Sequence, residues 1–276
     1  MRKLVQMFLV AAAAASQAWA GVVFTQVTKV EGGRGAEAAN AVVKTSVEGG
    51  RARVEWEDSN NPMIPKGAYM LINEKGEMLL VNPDKRTYSK FDLAAMGEGA
   101  NQAMSAMANM GFSMEITDPK VEKMAEEPGG EMLGFPTTHY RWHTSYTTVM
   151  HMPKPMKDRS MPSDSIEDVW TTTAVEMPAV AVKALSGISG GPAMKELGKV
   201  AELEKSKMTG FPLKRVIVSS GGGRGGSQKT TITSVVQDLK KASIPASTFV
   251  IPADYTETDL MQSQQRGPAM PNLNQQ

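Results

Sequence analysis

The sequence predicts an α+β fold made mainly of antiparallel β-structure. Three observations lead there. Residues 51–91 hold several β-like runs joined by connections too short for a parallel crossover. Residues 92–111 break that pattern with a helical stripe of methionines. Residues 137–236 then return to β-like runs separated by segments rich in Gly, Pro and Ser.

The first block reads as a β-meander. In "RARVEWE", Arg51, Arg53, Glu55 and Glu57 alternate with the apolar Val54 and Trp56, the two-residue period of a half-buried strand. "GAYMLI" and "EMLLVN" follow, joined by a hairpin connection at Asn73-Glu74-Lys75-Gly76. The turn "NPDK" at 82–85 then leads into "RTYSKF".

Between 92 and 111 the spacing changes. Leu93, Met96, Ala100, Met104, Met107, Met110 and Met114 recur every three or four residues, and Asp92 is placed to cap the N-terminus. Gly97 and Gly99 each cost about 1 kcal/mol against Ala inside a helix, which weakens the first turns. The stripe is expected to face the core. The alternative is a surface for varied apolar ligands, since thioethers are soft and adaptable.

In "TTHYRWHTSYTTVM", Tyr140, Trp142, Tyr146 and Met150 share one face of a strand, and His139, Arg141, His143 and Ser145 share the other. A Pro- and Met-rich loop is expected at 151–165, then a strand in "IEDVWTTTAV". Short helices are expected at 178–185 and 192–208, the second with Pro192 in its first turn and Gly210 as its stop. "PLKRVIV" and "KTTITSVV" close the series.

The ends of the chain carry no fold. Arg2 and Lys3, the apolar run Leu4–Ala15 and Ala18-Trp19-Ala20 have the form of a secretory signal cleaved before Gly21. The run is too short for a membrane anchor, and no later stretch spans a bilayer. Residues 21–261 are expected to form one domain, and 262–276, rich in Gln, Asn and Pro, a disordered tail. The chain has no cysteine, which rules out disulfides, thiolate zinc sites and redox motifs. Its net charge of +1 lacks the basic excess of a nucleic-acid partner. A periplasmic or secreted location follows from the leader.

Two motifs imitate catalytic machinery. "SSGGGRGGSQKTT" resembles a phosphate-binding loop, but Gln228 stands where glycine must precede Lys229, and a β-branched run replaces the required helix. It reads instead as the tip of a hairpin between "PLKRVIV" and "KTTITSVV". Gly187-Ile188-Ser189-Gly190-Gly191 fits a nucleophile elbow, yet all three histidines precede Ser189, against the order Ser, acid, His. No catalytic residue and no cofactor is expected.

A metal site is the stronger alternative. His139 and His143 lie about 13 Å apart along a strand, too far to share an ion. Met150, His151, Met152 and Met156 are closer together in a loop, and thioethers with an imidazole suit Cu(I). The acidic pairs Glu167/Asp168 and Glu126/Glu127 point to opposite faces of a strand and are expected to be solvated.

The order of "GGRARVEW", "LINEKGEMLLVNPDKRTYSKFD", the Met/Ala-rich helical segment, "EDVWTTTAVEMP", "GFPLKRVIV" and "IPASTFVIPADYTETDL" resembles a domain-of-unknown-function family of exported bacterial proteins. That family is associated with the lipoprotein-carrier (LolA/LolB/LppX-like) half-barrel. The resemblance covers roughly 22–260 and implies a curved sheet with a few helices on its concave face. It also implies an apolar cleft suited to a lipid or acyl ligand. Candidate lining residues are Trp56, Met104, Met107, Met110, Tyr140, Trp142 and Trp170. The expected function is a non-enzymatic periplasmic carrier of an apolar small molecule or lipid. The alternatives are a Cu(I)-binding protein using loop 150–156, or an envelope structural protein docking an envelope partner.

Overall fold

The structure, a computed structural model, describes residues 21–33, 36–61, 64–178, 209–223 and 226–259. Among these described residues, twelve strands run β1 (Gly21–Glu31), β2 (Ala41–Glu48), β3 (Arg51–Ser59), β4 (Tyr69–Ile72), β5 (Met78–Asn82) and β6 (Thr87–Phe91). They continue as β7 (Ser113–Met132), β8 (Phe135–His151), β9 (Arg159–Thr172), β10 (Phe211–Gly223), β11 (Gly226–Ala242) and β12 (Thr256–Glu257). All belong to one curved, unclosed sheet in the order β12-β6-β5-β4-β3-β2-β1-β11-β10-β9-β8-β7. Every pairing is antiparallel except β12 with β6. The fold is the expected α+β curved half-barrel.

The meander β3–β6 pairs in sequence order, because its connections are tight. Asn73 Oδ1 accepts from the backbone N–H groups of Lys75 and Glu77, fixing the β4–β5 turn. The glycine-rich stretch does form a hairpin: Val218 pairs with Thr231 and the ladder runs out to Gly223 and Gly226. β1 joins the two halves, with β2 on one side and β11 on the other.

One face of the sheet carries most of the core. Val47, Ala52, Val54, Trp56, Met70, Ile72 and Met78 form one buried cluster. Val22, Phe24, Val175, Leu213 and Val236 form a second, and Met177 packs against both. The other face buries a smaller group, Tyr69, Leu71 and Val81, beneath Ile251 and Tyr255. Those two residues belong to the C-terminal segment, whose Thr256 and Thr258 N–H groups donate to the carbonyls of Arg86 and Tyr88 and so close the β6 edge.

The opposite edge is β7. It is charged and largely exposed, contains Pro119 and Pro128, and shifts register three times against β8. Those features discourage pairing with a further strand.

α1 (Leu93–Asn109) is the one α-helix among the described residues. Asp92 caps it as expected, its Oδ1 accepting from the Ala95 N–H at 3.0 Å. The methionine stripe is not buried. Met107 is 42% and Met110 62% exposed, and Met104 is only half-buried. The expected helices at 178–185 and 192–208 fall outside the described residues except for Pro178, as do the leader and the 262–276 tail. The expected 151–165 loop is shorter than anticipated, since β9 begins at Arg159. No described helix is long and apolar enough to cross a membrane.

Candidate functional site

β7, β8 and β9 form a ribbon whose polar face is organised around histidines. Odd-numbered residues of β8 point to this face, and so do Asp164 and Asp168 of β9. His139 Nδ1 lies 3.0 Å from Glu127 Oε1 on β7, and its Nε2 lies 2.8 Å from Asp168 Oδ1 on β9. Four residues on, His143 Nε2 lies 2.7 Å from Asp164 Oδ2, with Glu122 Oε2 4.0 Å from its Nδ1. At the end of β8, His151 Nδ1 is 2.8 Å from Asp158 Oδ2 and its Nε2 is 3.6 Å from Glu115 Oε2. Each histidine of the chain therefore stands between a β7 glutamate and an aspartate from the β9 side.

The spacing explains the match. His139 and His143 are four residues apart, and so are Asp164 and Asp168, so an antiparallel register pairs them in reverse order. Glu122 and Glu127 are five apart, and the register shift between Lys123 and Ala125 absorbs the extra residue. The equal four-residue steps were visible in the sequence; the bulge that brings in the glutamates was not.

At His151 the surroundings have a definite electrostatic sign. The hydrogen bond with Asp158, with help from Glu115, holds the imidazole pKa above its usual value. Asp158 is held below the usual carboxylate value by His151 and by the Met152 N–H, which donates to its Oδ1 at 3.1 Å.

Trp170 belongs to this polar face. Its ring stacks on His139, and the Lys214 ammonium stands 4.5 Å over its ring centroid. Tyr140 and Trp142 point the other way, so the structure separates Trp170 from the two aromatics grouped with it as cleft residues. Registered pairs running Trp56–Val43–Gln26–Val236 and Ser234–Arg215–Val169–Tyr140 place Trp56 on the face of Tyr140 and Trp142. Six strand steps still separate β3 from β8, roughly 29 Å along the sheet. Trp56, Tyr140 and Trp142 are all closely packed, and Trp142 is fully buried. Tyr140 Oη is 3.3 Å from Thr209 Oγ1.

Of the two acidic pairs, Glu126 and Glu127 have exposed side chains as expected, whereas Glu167 and Asp168 do not. Glu167 is buried on the apolar face and ion-pairs with Arg215, and Asp168 is bound by His139 and by Arg141 Nη2 at 2.9 Å. Glu126 pairs with Lys123, and Glu127 with His139. The two members of each pair do take opposite roles, as alternation requires.

Met150 and His151 are successive strand residues and point to opposite faces, and both nitrogens of His151 already face carboxylates. Met150 instead pairs across the ladder with Met114, while Met156 is largely exposed in the β8–β9 connection. Two of the four candidate copper ligands, Met150 and His151, thus project from opposite faces of β8. Among the described residues, no group of three or more His, Asp or Glu side chains converges as a metal site.

A groove of about 580 Å³ lies elsewhere, at the β1–β2 end of the sheet, between Val30, Asn40, Asp58 and Asn60. Asn40 spans it, its Oδ1 accepting from the Val30 N–H at 2.7 Å and its carbonyl accepting from the Asn60 N–H. None of the expected cleft residues lines this groove. No protein-family model matches the chain, and no curated protein matches it either.

Proposed function

We propose that the protein is an exported, non-catalytic carrier-type module that takes a lipid or acyl chain against α1 and the start of the β7–β8 ribbon. The carrying observation is the exposure of the methionine stripe. Met104 and Met107 sit on α1 and Met110 in the short turn that leads from it into β7, where Met114 lies opposite Met150. Exposing apolar side chains on a capped helix is unfavourable unless something covers them, and flexible thioethers adapt to chains of varied shape. The leader at residues 1–20 and the resemblance to exported half-barrel carriers support the same reading.

Protein isolated under native conditions is expected to carry lipid detectable by native mass spectrometry, and to bind a fluorescent fatty acid. Replacing Met104, Met107 and Met110 together by Gln should abolish both while preserving the β-rich circular dichroism spectrum. Protein that stays empty and ignores the probe, or a triple variant that binds it unchanged, overturns the proposal.

A further inference from the structure

We propose that Met107 and Met110 are sites of reversible oxidation to methionine sulfoxide by a peroxide or hypohalous acid, and that the modification switches off acyl binding at the end of α1. The switch rests on the acyl-binding reading of the same surface. The chain has 21 methionines and no cysteine, so thioethers are its most readily oxidised groups. Solvent access then decides which of them react. Met107 and Met110 are 42% and 62% exposed, whereas Met70 and Met78 in the core are 2% and 8% exposed. An oxidant in water reaches the first pair directly and the second only when the sheet opens.

The chemistry is a single oxygen transfer. With hydrogen peroxide, a sulfur lone pair attacks one oxygen, the S–O bond forms and the O–O bond breaks. The departing hydroxide takes the proton of the transferred hydroxyl and leaves as water. The thioether is oxidised and the peroxide reduced. Methionine sulfoxide reductases, one for each sulfoxide epimer, reverse the step with a dithiol, which becomes a disulfide as the oxygen leaves in water.

The place of the two residues confines the effect to the surface. Backbone groups close the end of α1: the Met107 carbonyl accepts from the N–H groups of Met110 and Phe112, and the Gly111 N–H donates to the Ala108 carbonyl. Gly111 supplies the left-handed φ of 82° at this turn and lies against Pro153 of the β8–β9 connection, where a Cβ would come within 3.1 Å of the proline ring. None of these contacts uses a methionine side chain, so they survive oxidation. The surface itself changes character. A sulfoxide oxygen accepts hydrogen bonds from water, and an acyl chain that covers it offers no donor in return.

The test treats the full chain with hydrogen peroxide, removes the excess with catalase and maps the oxidised peptides by mass spectrometry. Binding of a pyrene-labelled saturated fatty acid is then measured. Met107 and Met110 are expected to gain oxygen before Met70 and Met78, and affinity for the probe should then fall about tenfold or more. The two reductases with dithiothreitol should restore it. The Met107→Leu/Met110→Leu protein keeps an apolar surface without sulfur there, and should bind the probe before and after peroxide. Met124→Leu, at an exposed site further along β7, should respond like the wild type. Untreated protein that does not bind the probe overturns the carrier reading and the switch with it. Three results overturn the switch alone: undiminished probe binding with Met107 and Met110 oxidised, a Met107→Leu/Met110→Leu protein as oxidant-sensitive as the wild type, or core methionines oxidised as fast as the exposed pair.

Discussion

Trp170 lies flat against His139, with ring centroids 4.4 Å apart and 16° between the planes. The Lys214 ammonium stands 4.5 Å from the same indole. The contact joins β8, β9 and β10 on the polar face, away from the main core. Trp170→Ala should destabilise the protein by about 2 kcal/mol, less than the roughly 3–5 kcal/mol of a core tryptophan, because the indole is only half-buried. Equilibrium urea unfolding measures the difference, and Trp142→Ala, at a fully buried ring, supplies the larger value for comparison.

Gly129 of β7 is where that indole passes. A Cβ there would lie 2.6 Å from Thr137 Oγ1, 2.8 Å from Trp170 Cδ1 and 3.1 Å from the backbone nitrogen of His139. Gly129→Ala should therefore cost roughly 1–3 kcal/mol, the usual range for overpacking. Combining it with Trp170→Ala should recover part of that cost, because one of the three clashes disappears. Strict additivity in the double-mutant cycle would show that the indole does not confine Gly129.

Glu167 and Arg215 form the buried ion pair of the apolar face, and only the arginine reaches solvent. Arg215→Leu leaves a buried carboxylate without its partner. Losing one member of a fully buried pair costs about 3–5 kcal/mol, and the partial exposure of Arg215 reduces the expected loss to roughly 2 kcal/mol. Glu167→Gln should cost less, since a neutral amide needs no counter-charge. Paired denaturation curves for the two variants test this order.

His151 and Asp158 make stability depend on pH in opposite ways. The raised imidazole pKa gives a contribution that is complete below the unfolded value and is lost as pH rises through the folded one. The lowered carboxylate pKa gives a contribution present above the unfolded value and lost as pH falls through the folded one. The pair thus helps most at mildly acidic pH, between the carboxylate and imidazole ranges. His151→Asn and Asp158→Asn should each flatten both sides of the Tm–pH profile, because each removes the largest cause of its partner's shift.

Met107→Gln and Met110→Gln should leave Tm within about 1 °C of the wild type. Both side chains are exposed, and surface changes away from special contacts stay within roughly 0.5 kcal/mol. A marked loss of stability would mean that these methionines pack against another part of the chain. That result would also remove the basis for placing a ligand there.

The sequence by itself determined the local elements whose signal is carried by neighbouring residues. Alternation in "RARVEWE", the tight turn at Asn73, the cap at Asp92 and the β-branched run after Gly226 each specify backbone geometry within a few residues. β7 escaped this reading because an edge strand exposed on both faces has no burial pattern to impose alternation. β1 and β2 were missed as well, although their central place in the sheet holds the two halves together. Only the tertiary structure decided which side chains meet. It set Trp170 on His139 rather than beside Trp142, buried Glu167 against Arg215, and left the methionine stripe uncovered by the main clusters. Those outcomes depend on strand order and on bulges that shift register by a residue, and a one-residue shift changes the partner of every side chain beyond it.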